Sequence, residues 1–172
     1  MEKSLFRSWF TGVWLALPVV VVCLGVATAR ADESHCYTLA SLKGTYGVVA
    51  TYSENVALAL AVRHFDGQGN LTGTFTLNAP DLTSTTGARR IITGTQVGTY
   101  IVNCDGTGVE TRTATSSTGV VTTQQDDFVI TQAIRQEDGG LLATALEDAQ
   151  RTPSALVPGG LFLFRHFTRR SD

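Results

Sequence analysis

The sequence predicts an all-β protein, a single antiparallel barrel of about eight strands in meander order. Beyond the first thirty-odd positions the chain is rich in Thr, Val, Gly and Leu and poor in Lys and Glu, which favours strands over helices. Glycine next to Asp or Asn recurs between β-branched and aromatic stretches, as at 65–73 and 98–108, which is typical of tight hairpins. A meander of eight twisted strands tends to close into a barrel and so removes its edges.

The predicted strands follow one another with mostly short connections. Glycine-bearing turns at 66–70, 116–119 and 137–140 separate neighbouring strands. Longer connections run over 80–87 and 150–159, and two prolines mark the second as a loop. The predicted strands cover 44–53, 56–65, 70–78, 90–103, 107–115, 119–134, 140–147 and 160–168.

Residues 1–31 are predicted to be a signal peptide, which leaves 32–172 as one domain. Positive charge comes first, an almost wholly apolar run over 9–26 follows, and Ala29-Arg30-Ala31 fits the small-x-small cleavage pattern. Cleavage is expected before Asp32, with a site at Ala29 as the alternative. An uncleaved membrane anchor is the competing hypothesis, because the apolar run approaches the ~20 residues that span a bilayer. Cleavage predicts a secreted or periplasmic protein with no stable membrane span.

Export changes what the cysteines are expected to do. Cys23 leaves with the leader, so Cys36 and Cys104 remain in an oxidising compartment. A redox or metal site is the alternative to a disulfide, but the two cysteines are isolated and no CxxC exists. A Cys36–Cys104 disulfide is therefore predicted, and it would tie the N-terminus of the domain to a mid-chain hairpin.

The charge balance argues against a nucleic-acid partner. Three of the 13 basic residues and one of the 15 acidic residues lie in the leader, so the exported chain has a net charge of about −4. No basic stripe appears along the sequence, whereas nucleic-acid-binding domains carry one. The oligomeric state stays open.

The faces of the second predicted strand point to a ligand. Val56, Leu58, Leu60 and Val62 alternate with a face of alanines and Arg63, so the strand is apolar on both sides. One explanation is a barrel whose alanine face looks inward and leaves room for a small apolar ligand. A second is that the outer face packs on a loop or a second subunit, and plain core packing is the third. By contrast, alternation at 109–115 is typical of a strand with a solvated face. The predicted ligand-contacting residues are Tyr46, Val48, Ala57, Ala59, Ala61, Arg63 and Phe164.

Three motifs together resemble a family of exported bacterial proteins of unknown function. They are L-x-G-T-Y-G at 42–47, F-D-G-x-G-N-L-x-G at 65–73, and a G-T-Y-x-V-N-x-D-G-T-G-like segment at 98–108, following Cys36. The match covers roughly 36–115. The family resembles small calycin-type barrels, of the kind found in lipocalins and allene oxide cyclase. The resemblance implies a barrel and implies no reaction.

Catalytic and metal-binding signals are weak. Arg63-His64-Phe65 and Arg165-His166-Phe167 repeat one tripeptide, with Arg and Phe on one face and His on the other. If the two strands are neighbours, the imidazoles could converge as a metal or acid-base pair; the alternative is two rim residues that meet water or a loop. The doublets 126–127 and 147–148 are acidic, but adjacent carboxylates on a strand point to opposite faces. Nucleophile, Walker and zinc-protease motifs are absent from the sequence. We therefore predict no catalytic residue, no metal site and no cofactor.

These observations favour a non-enzymatic binder of a small apolar ligand. A surface interaction or structural module is the first alternative, supported by the Thr-rich faces. An enzyme of the cyclase or isomerase type is the second, and it depends on fold analogy alone. A buried charged residue inside the barrel, such as Arg63 or Glu147, with a displaced pKa would favour the enzyme.

Overall fold

The predicted eight-stranded meander barrel is confirmed. A computed structural model describes residues 36–52, 57–81, 83–152 and 163–171. Every strand pairs antiparallel with the next along the chain, and the last strand pairs with the first, which closes the barrel. The strands are β1 (Lys43–Tyr52), β2 (Ala57–Asp66), β3 (Asn70–Pro80), β4 (Arg89–Val102), β5 (Thr107–Ser116), β6 (Val121–Arg135), β7 (Leu141–Gln150) and β8 (Leu163–Arg169).

The β2–β3 hairpin shows why the turn sequences specify this topology. Gly67 and Gly69 adopt φ values of 80° and 105°, a region that side chains with a Cβ rarely occupy. Asp66 Oδ1 accepts hydrogen bonds from the backbone N–H groups of Gln68 at 2.7 Å and Asn70 at 2.9 Å. The carboxylate and the two glycines together hold the chain in a tight reversal, so β3 starts directly beside β2.

The alternation of β2 is confirmed, with its small side chains inside. Ala57, Arg63 and Phe65 are buried, and Ala59 and Ala61 are partly buried on the same face. Leu58, Leu60 and Val62 point outward and are exposed. This orientation follows from the two-residue period of a strand once Phe65 packs in the core.

Two apolar clusters fill the two ends of the barrel. The first lies at the end where β1 begins, and it contains Tyr46, Phe65, Tyr100, Phe128 and Phe167. Its rings pack edge-on, with centroids 5.5 Å apart for Tyr46–Phe65 and 5.1 Å for Phe65–Tyr100. The second cluster lies toward the other end and is built from smaller side chains, including Ala50, Ala57, Phe75, Leu77, Ile92 and Leu163.

The segment before β1 covers the end that holds the aromatic cluster. A short 3-10 helix, Leu39–Ser41, leads into β1. Tyr100 Oη donates a hydrogen bond to the Leu42 carbonyl at 2.8 Å, which fixes this segment to β4. Cys36 and Cys104 form the predicted disulfide, with Cα atoms 4.4 Å apart. Covalent and hydrogen-bonded contacts therefore hold this segment in place at this end of the barrel.

No helix within the described ranges is long and apolar enough to cross a membrane. The predicted signal peptide, residues 1–31, lies outside the described residues.

Candidate functional site

A small cavity lies inside the barrel, between the alanine face of β2 and a group of buried polar side chains. Its volume is about 30 Å³. Ala59 and Ala61 stay partly accessible although they face inward, because they border this space. The lining residues are, on the apolar side, Val48, Ala50, Ala59, Ala61, Phe75, Leu77 and Leu163 and, on the polar side, Arg63, Gln96, Arg112, Gln124 and Arg165.

Eight polar residues cross the barrel interior next to this cavity, and we call them the polar layer. They come from β2 and from β4 to β8, at inward positions of each strand. All are buried, and the charges balance, with three arginines and three carboxylates. The members are Arg63, Gln96, Glu110, Arg112, Gln124, Asp126, Asp148 and Arg165.

Arg165 lies at the centre of the carboxylates. Its Nε donates to Asp148 Oδ1 at 2.6 Å, and its Nη2 lies 2.6 Å from Asp126 Oδ1. The second pair is not aligned for a hydrogen bond, so we treat it as an ionic contact. Arg112 joins the same group, since its Nε donates to Asp126 Oδ2 at 3.0 Å. Two arginines thus share one buried aspartate.

Arg63 connects the opposite side of the layer. Its Nη1 donates to Glu110 Oε1, and its Nη2 donates to Gln96 Oε1 at 2.8 Å. The guanidinium also lies over the Phe167 ring, 5.0 Å from the ring centroid. Hydrogen bonds and the aromatic face therefore hold this cation in place from two directions.

The environment separates the pKa values of the carboxyl groups. Burial tends to raise the pKa of Glu110, but the charges of Arg63, Arg165 and Arg112 outweigh it and hold the pKa at about 2. For Asp148 burial prevails, and with Glu110 and Asp126 nearby it raises the pKa to about 7, against the opposing charges of Arg165 and Arg63. Burial also raises the pKa of Asp126. Glu110 therefore stays ionised, whereas Asp148 titrates near neutral pH.

Burial and the neighbouring Arg165 and Arg63 charges lower the pKa of Arg112 to about 10. Arg165 shifts the other way, because the charges of Asp148, Asp126 and Glu110 outweigh its burial and raise its pKa. Arg112 and Arg165 are thus both cations at neutral pH.

The three carboxylates do not form a metal site. Glu110, Asp126 and Asp148 each offer one oxygen within 4.8 Å of the others, a spacing that could surround a cation. The Arg165 guanidinium lies among them, at 2.6 Å from Asp148, 2.6 Å from Asp126 and 3.6 Å from Glu110. An arginine therefore supplies the positive charge, and the residues present do not fit a metal ion.

Four of the predicted ligand-contacting residues line the cavity: Val48, Ala59, Ala61 and Arg63. Tyr46 is buried in the aromatic cluster instead, where its hydroxyl donates to the Ala143 carbonyl at 2.7 Å. Ala57 is buried in the second apolar cluster.

Phe164 requires a correction, because it lies on the outer surface and is 49% exposed. Its neighbours Leu163 and Arg165 both line the cavity, so the alternation of β8 directs Phe164 outward. Glu147 also points outward, beside His166, with 3.5 Å between Oε1 and Nδ1.

The two histidines do not converge. His64 and His166 both point outward, as the shared face of Arg and Phe predicted. On the strand between them, His64 pairs with Thr45 and His166 pairs with Val49. Those partners are four residues apart, about 13 Å along a strand, so the imidazoles cannot share a ligand.

Sequence reasoning missed most of the polar layer. The solvated face of β5 is its threonine face, and Glu110 and Arg112 lie inside. The two acidic doublets lie about twenty residues apart in the sequence, whereas the barrel brings Asp126 from one and Asp148 from the other to the same arginine. One signal in the sequence could have indicated this layer. Several charged residues lie at even spacings from apolar residues of the same strand, such as Ala57, Phe128 and Phe167, and therefore share their inward face.

No family model, curated protein or solved structure matches this chain.

Proposed function

We propose that this protein is a non-enzymatic binder that holds a small molecule with an apolar body inside the barrel. The cavity beside the alanine face of β2 carries the proposal, since Ala59 and Ala61 face inward yet border open space. An eight-stranded barrel is just wide enough to be filled by side chains or to hold one small ligand. The small side chains of Ala59 and Ala61 leave this space unfilled, which suits a second occupant.

The size of the cavity limits the ligand. A volume of 30 Å³ is room for about two water molecules, at roughly 10–15 Å³ each. A larger body must extend past Ala50, Leu77 and Leu163, toward the end of the barrel opposite the 3-10 helix. We therefore expect a compact ligand with a short apolar chain.

Native mass spectrometry of the protein purified from its own cells or medium, followed by denaturing extraction, tests the proposal. We expect a non-covalent adduct that denaturation releases. Ala59→Val should fill the cavity and remove the adduct, whereas Leu60→Val, one residue along on the outer face, should keep it. A bare protein mass under native conditions would overturn the proposal.

A second candidate is a surface interaction module, supported by an apolar stripe on the outside of β8, β1 and β2. Register places Val49 beside Leu60, and Thr51 beside both Leu58 and Phe164. Leu60 is 63% exposed and Val49 is 53% exposed. Such a stripe can contact the same stripe of a second copy, because an isologous dimer uses one patch twice.

Sedimentation velocity tests this candidate. A dimer that Leu60→Lys converts to a monomer, while Thr111→Lys on the far wall does not, would support self-association. A monomer at all concentrations would contradict it.

The buried Asp148, with its raised pKa, is the observation that favours the cyclase or isomerase hypothesis. Catalysis would need that carboxyl at the cavity wall, yet among the residues that line the cavity there is no carboxylate. Binding is therefore the function that this geometry supports best.

A further inference from the structure

A larger cleft lies at the end of the barrel where β1 begins. Its volume is about 610 Å³, and small-molecule sites typically have about 300–1,000 Å³. The start of β1, the end of β2, the β6–β7 turn, the start of β7 and the end of β8 all contribute to it. The cleft has no lining residue in common with the cavity inside the barrel. It is therefore a separate candidate site, and its polar lining includes Lys43, Asp66, Gln136, Asp138 and Arg169.

Arg169 is fixed in the wall of this cleft. Its guanidinium lies against Gly44, where a Cβ atom would come within 2.5 Å of Nη1. Gly44 has a φ of 115°, a region that glycine adopts freely. Arg169 Nη1 donates to the Lys43 carbonyl, and the Tyr46 hydroxyl also forms a hydrogen bond with Arg169. These contacts orient one cation before a ligand arrives, which lowers the cost of ordering on binding.

Lys43 supplies a second positive charge. It pairs directly with Asp66 across β1 and β2, a position at which opposite charges attract one another. Asp66 instead caps its own turn, where Oδ1 accepts from two backbone N–H groups and Oδ2 accepts from the Asn70 side-chain amide at 2.6 Å. Within the described ranges, the Lys43 ammonium has no ion pair and no hydrogen bond. Its charge is therefore free to bind a ligand.

The β6–β7 turn supplies hydrogen-bond acceptors. Asp138 Oδ1 accepts from the Gly140 backbone N–H at 2.9 Å, as a turn cap does, and its Oδ2 accepts from no described residue. The side-chain amide of Gln136 adds a donor and an acceptor. Leu142, at the start of β7, adds partly buried hydrocarbon. The lining thus combines cations, hydrogen-bonding groups of both kinds and an apolar surface.

We propose that this cleft binds a hydroxylated organic acid of the size of a sugar acid, with its carboxylate at Lys43 and Arg169 and its hydroxyl groups at Asp138 and Gln136. Binding displaces water from the lining, so a ligand without charge would leave Lys43 without a counter-ion, and a ligand without donors would leave Asp138 unpaired. A hydroxylated acid satisfies both. This inference goes beyond the proposed function, because it concerns a second site outside the barrel interior.

Isothermal titration calorimetry at neutral pH, on the protein made from its full chain, tests the ligand class with three probes of similar ring size. We expect saturable binding of glucuronate. Glucose lacks the carboxylate and cyclohexanecarboxylate lacks the hydroxyl groups, so each should bind at least about tenfold more weakly. Equal affinity for glucose would overturn the role of the cations, and equal affinity for cyclohexanecarboxylate would overturn the role of the acceptors. Absence of glucuronate binding would overturn the proposal as a whole.

A matched pair of variants locates the site. Lys43→Met keeps the aliphatic stem and removes the ammonium, and we expect it to weaken glucuronate binding about tenfold. Arg90→Met makes the same change in net charge at the start of β4, at the opposite end of the barrel, and should bind glucuronate as the wild type does. Both side chains are exposed, so neither variant should unfold. Wild-type affinity in Lys43→Met would contradict the proposal.

Ala59→Val separates this site from the proposed site inside the barrel. The variant should bind glucuronate as the wild type does, although it should lose the adduct expected for the interior cavity. Loss of glucuronate binding in Ala59→Val, with backbone NMR shifts that show an intact barrel, would overturn the assignment to the cleft. Conversely, Lys43→Met should keep the interior adduct, so each proposal fails or stands by its own measurement.

Discussion

Arg165 on β8 and Asp148 on β7 are directly paired across neighbouring strands, and the Arg165 Nε contacts both carboxylate oxygens, at 2.6 and 2.9 Å. Arg165 is 3% exposed and Asp148 is 2% exposed. A barrel interior normally contains hydrocarbon, so this pair and the ion pairs around it determine much of how the protein responds to mutation and pH.

Removing Arg165 should cost far more stability than removing an arginine of a surface pair. Arg165→Met leaves Asp148 and Asp126 buried without their main partner, and breaking a buried pair in this way costs about 3–5 kcal/mol. Arg151→Met is the control, because Arg151 pairs with Asp127 where both side chains are about half exposed. That pair should be worth about 0–1 kcal/mol.

Urea unfolding at neutral pH measures both variants. A similar loss of unfolding free energy for Arg165→Met and Arg151→Met would show that the polar layer does not have the arrangement described.

Asp148 should make the protein less stable as pH rises. Its folded-state pKa of about 7 lies above the unfolded value near 3.9, so between about pH 4 and about pH 7 the folded state binds the extra proton. The free energy of unfolding should therefore decrease across this window, by at most about 1.4 kcal/mol per pH unit from this group. Asp126 acts in the same sense, because its pKa is also raised.

Asp148→Asn isolates this contribution. The variant cannot titrate at this position. As pH rises, the wild type should therefore lose unfolding free energy relative to the variant. Parallel profiles for wild type and Asp148→Asn would contradict the raised pKa.

The disulfide should contribute a large share of the stability. It joins residues 68 positions apart, and the chain-entropy model gives about 4 kcal/mol for a loop of this length. The double variant Cys36→Ser, Cys104→Ser should therefore unfold at clearly lower denaturant. Reductant should lower the stability of the wild type to the level of the double variant and leave the double variant unchanged. A wild type that is indifferent to reductant would contradict the bond.

Gln124→Met should not destabilise the ligand-free protein. The substitution removes a buried donor that has no partner among the described residues, and an unsatisfied donor costs about 1–3 kcal/mol. We expect the variant to be as stable as the wild type or more stable in thermal unfolding. A loss of more than about 1 kcal/mol would show that a protein group satisfies this amide.

The topology could be predicted from the sequence because hairpin turns are local. Gly67 and Gly69 with Asp66 specify one reversal without reference to the rest of the chain, and similar turns space the other strands. The alternation of β2 likewise predicted an inward alanine face, since Phe65 and Arg63 are in phase with it. Export, the family resemblance and the ligand stay predictions.

The polar layer could not be predicted because it depends on register between strands. Glu110 and Arg112 alternate with threonines, and composition alone cannot decide which of two polar faces is buried. Asp126 on β6 contacts Arg165 on β8 across the intervening strand β7. Their contact therefore depends on the pairing of β6 with β7, which contains a register shift between Ile130 and Ala133. Phe164 faces outward, against the prediction, for a related reason: residues 161–164 are apolar at every position, so the sequence does not show which phase of β8 faces inward.

A high-resolution crystal structure of the protein purified from its own cells or medium without refolding tests the central claim most directly. The account predicts continuous density in the cavity beside Ala59 and Ala61 that is larger than a water molecule. Separate water-sized peaks in the cavity would contradict the claim that the barrel interior is a ligand site.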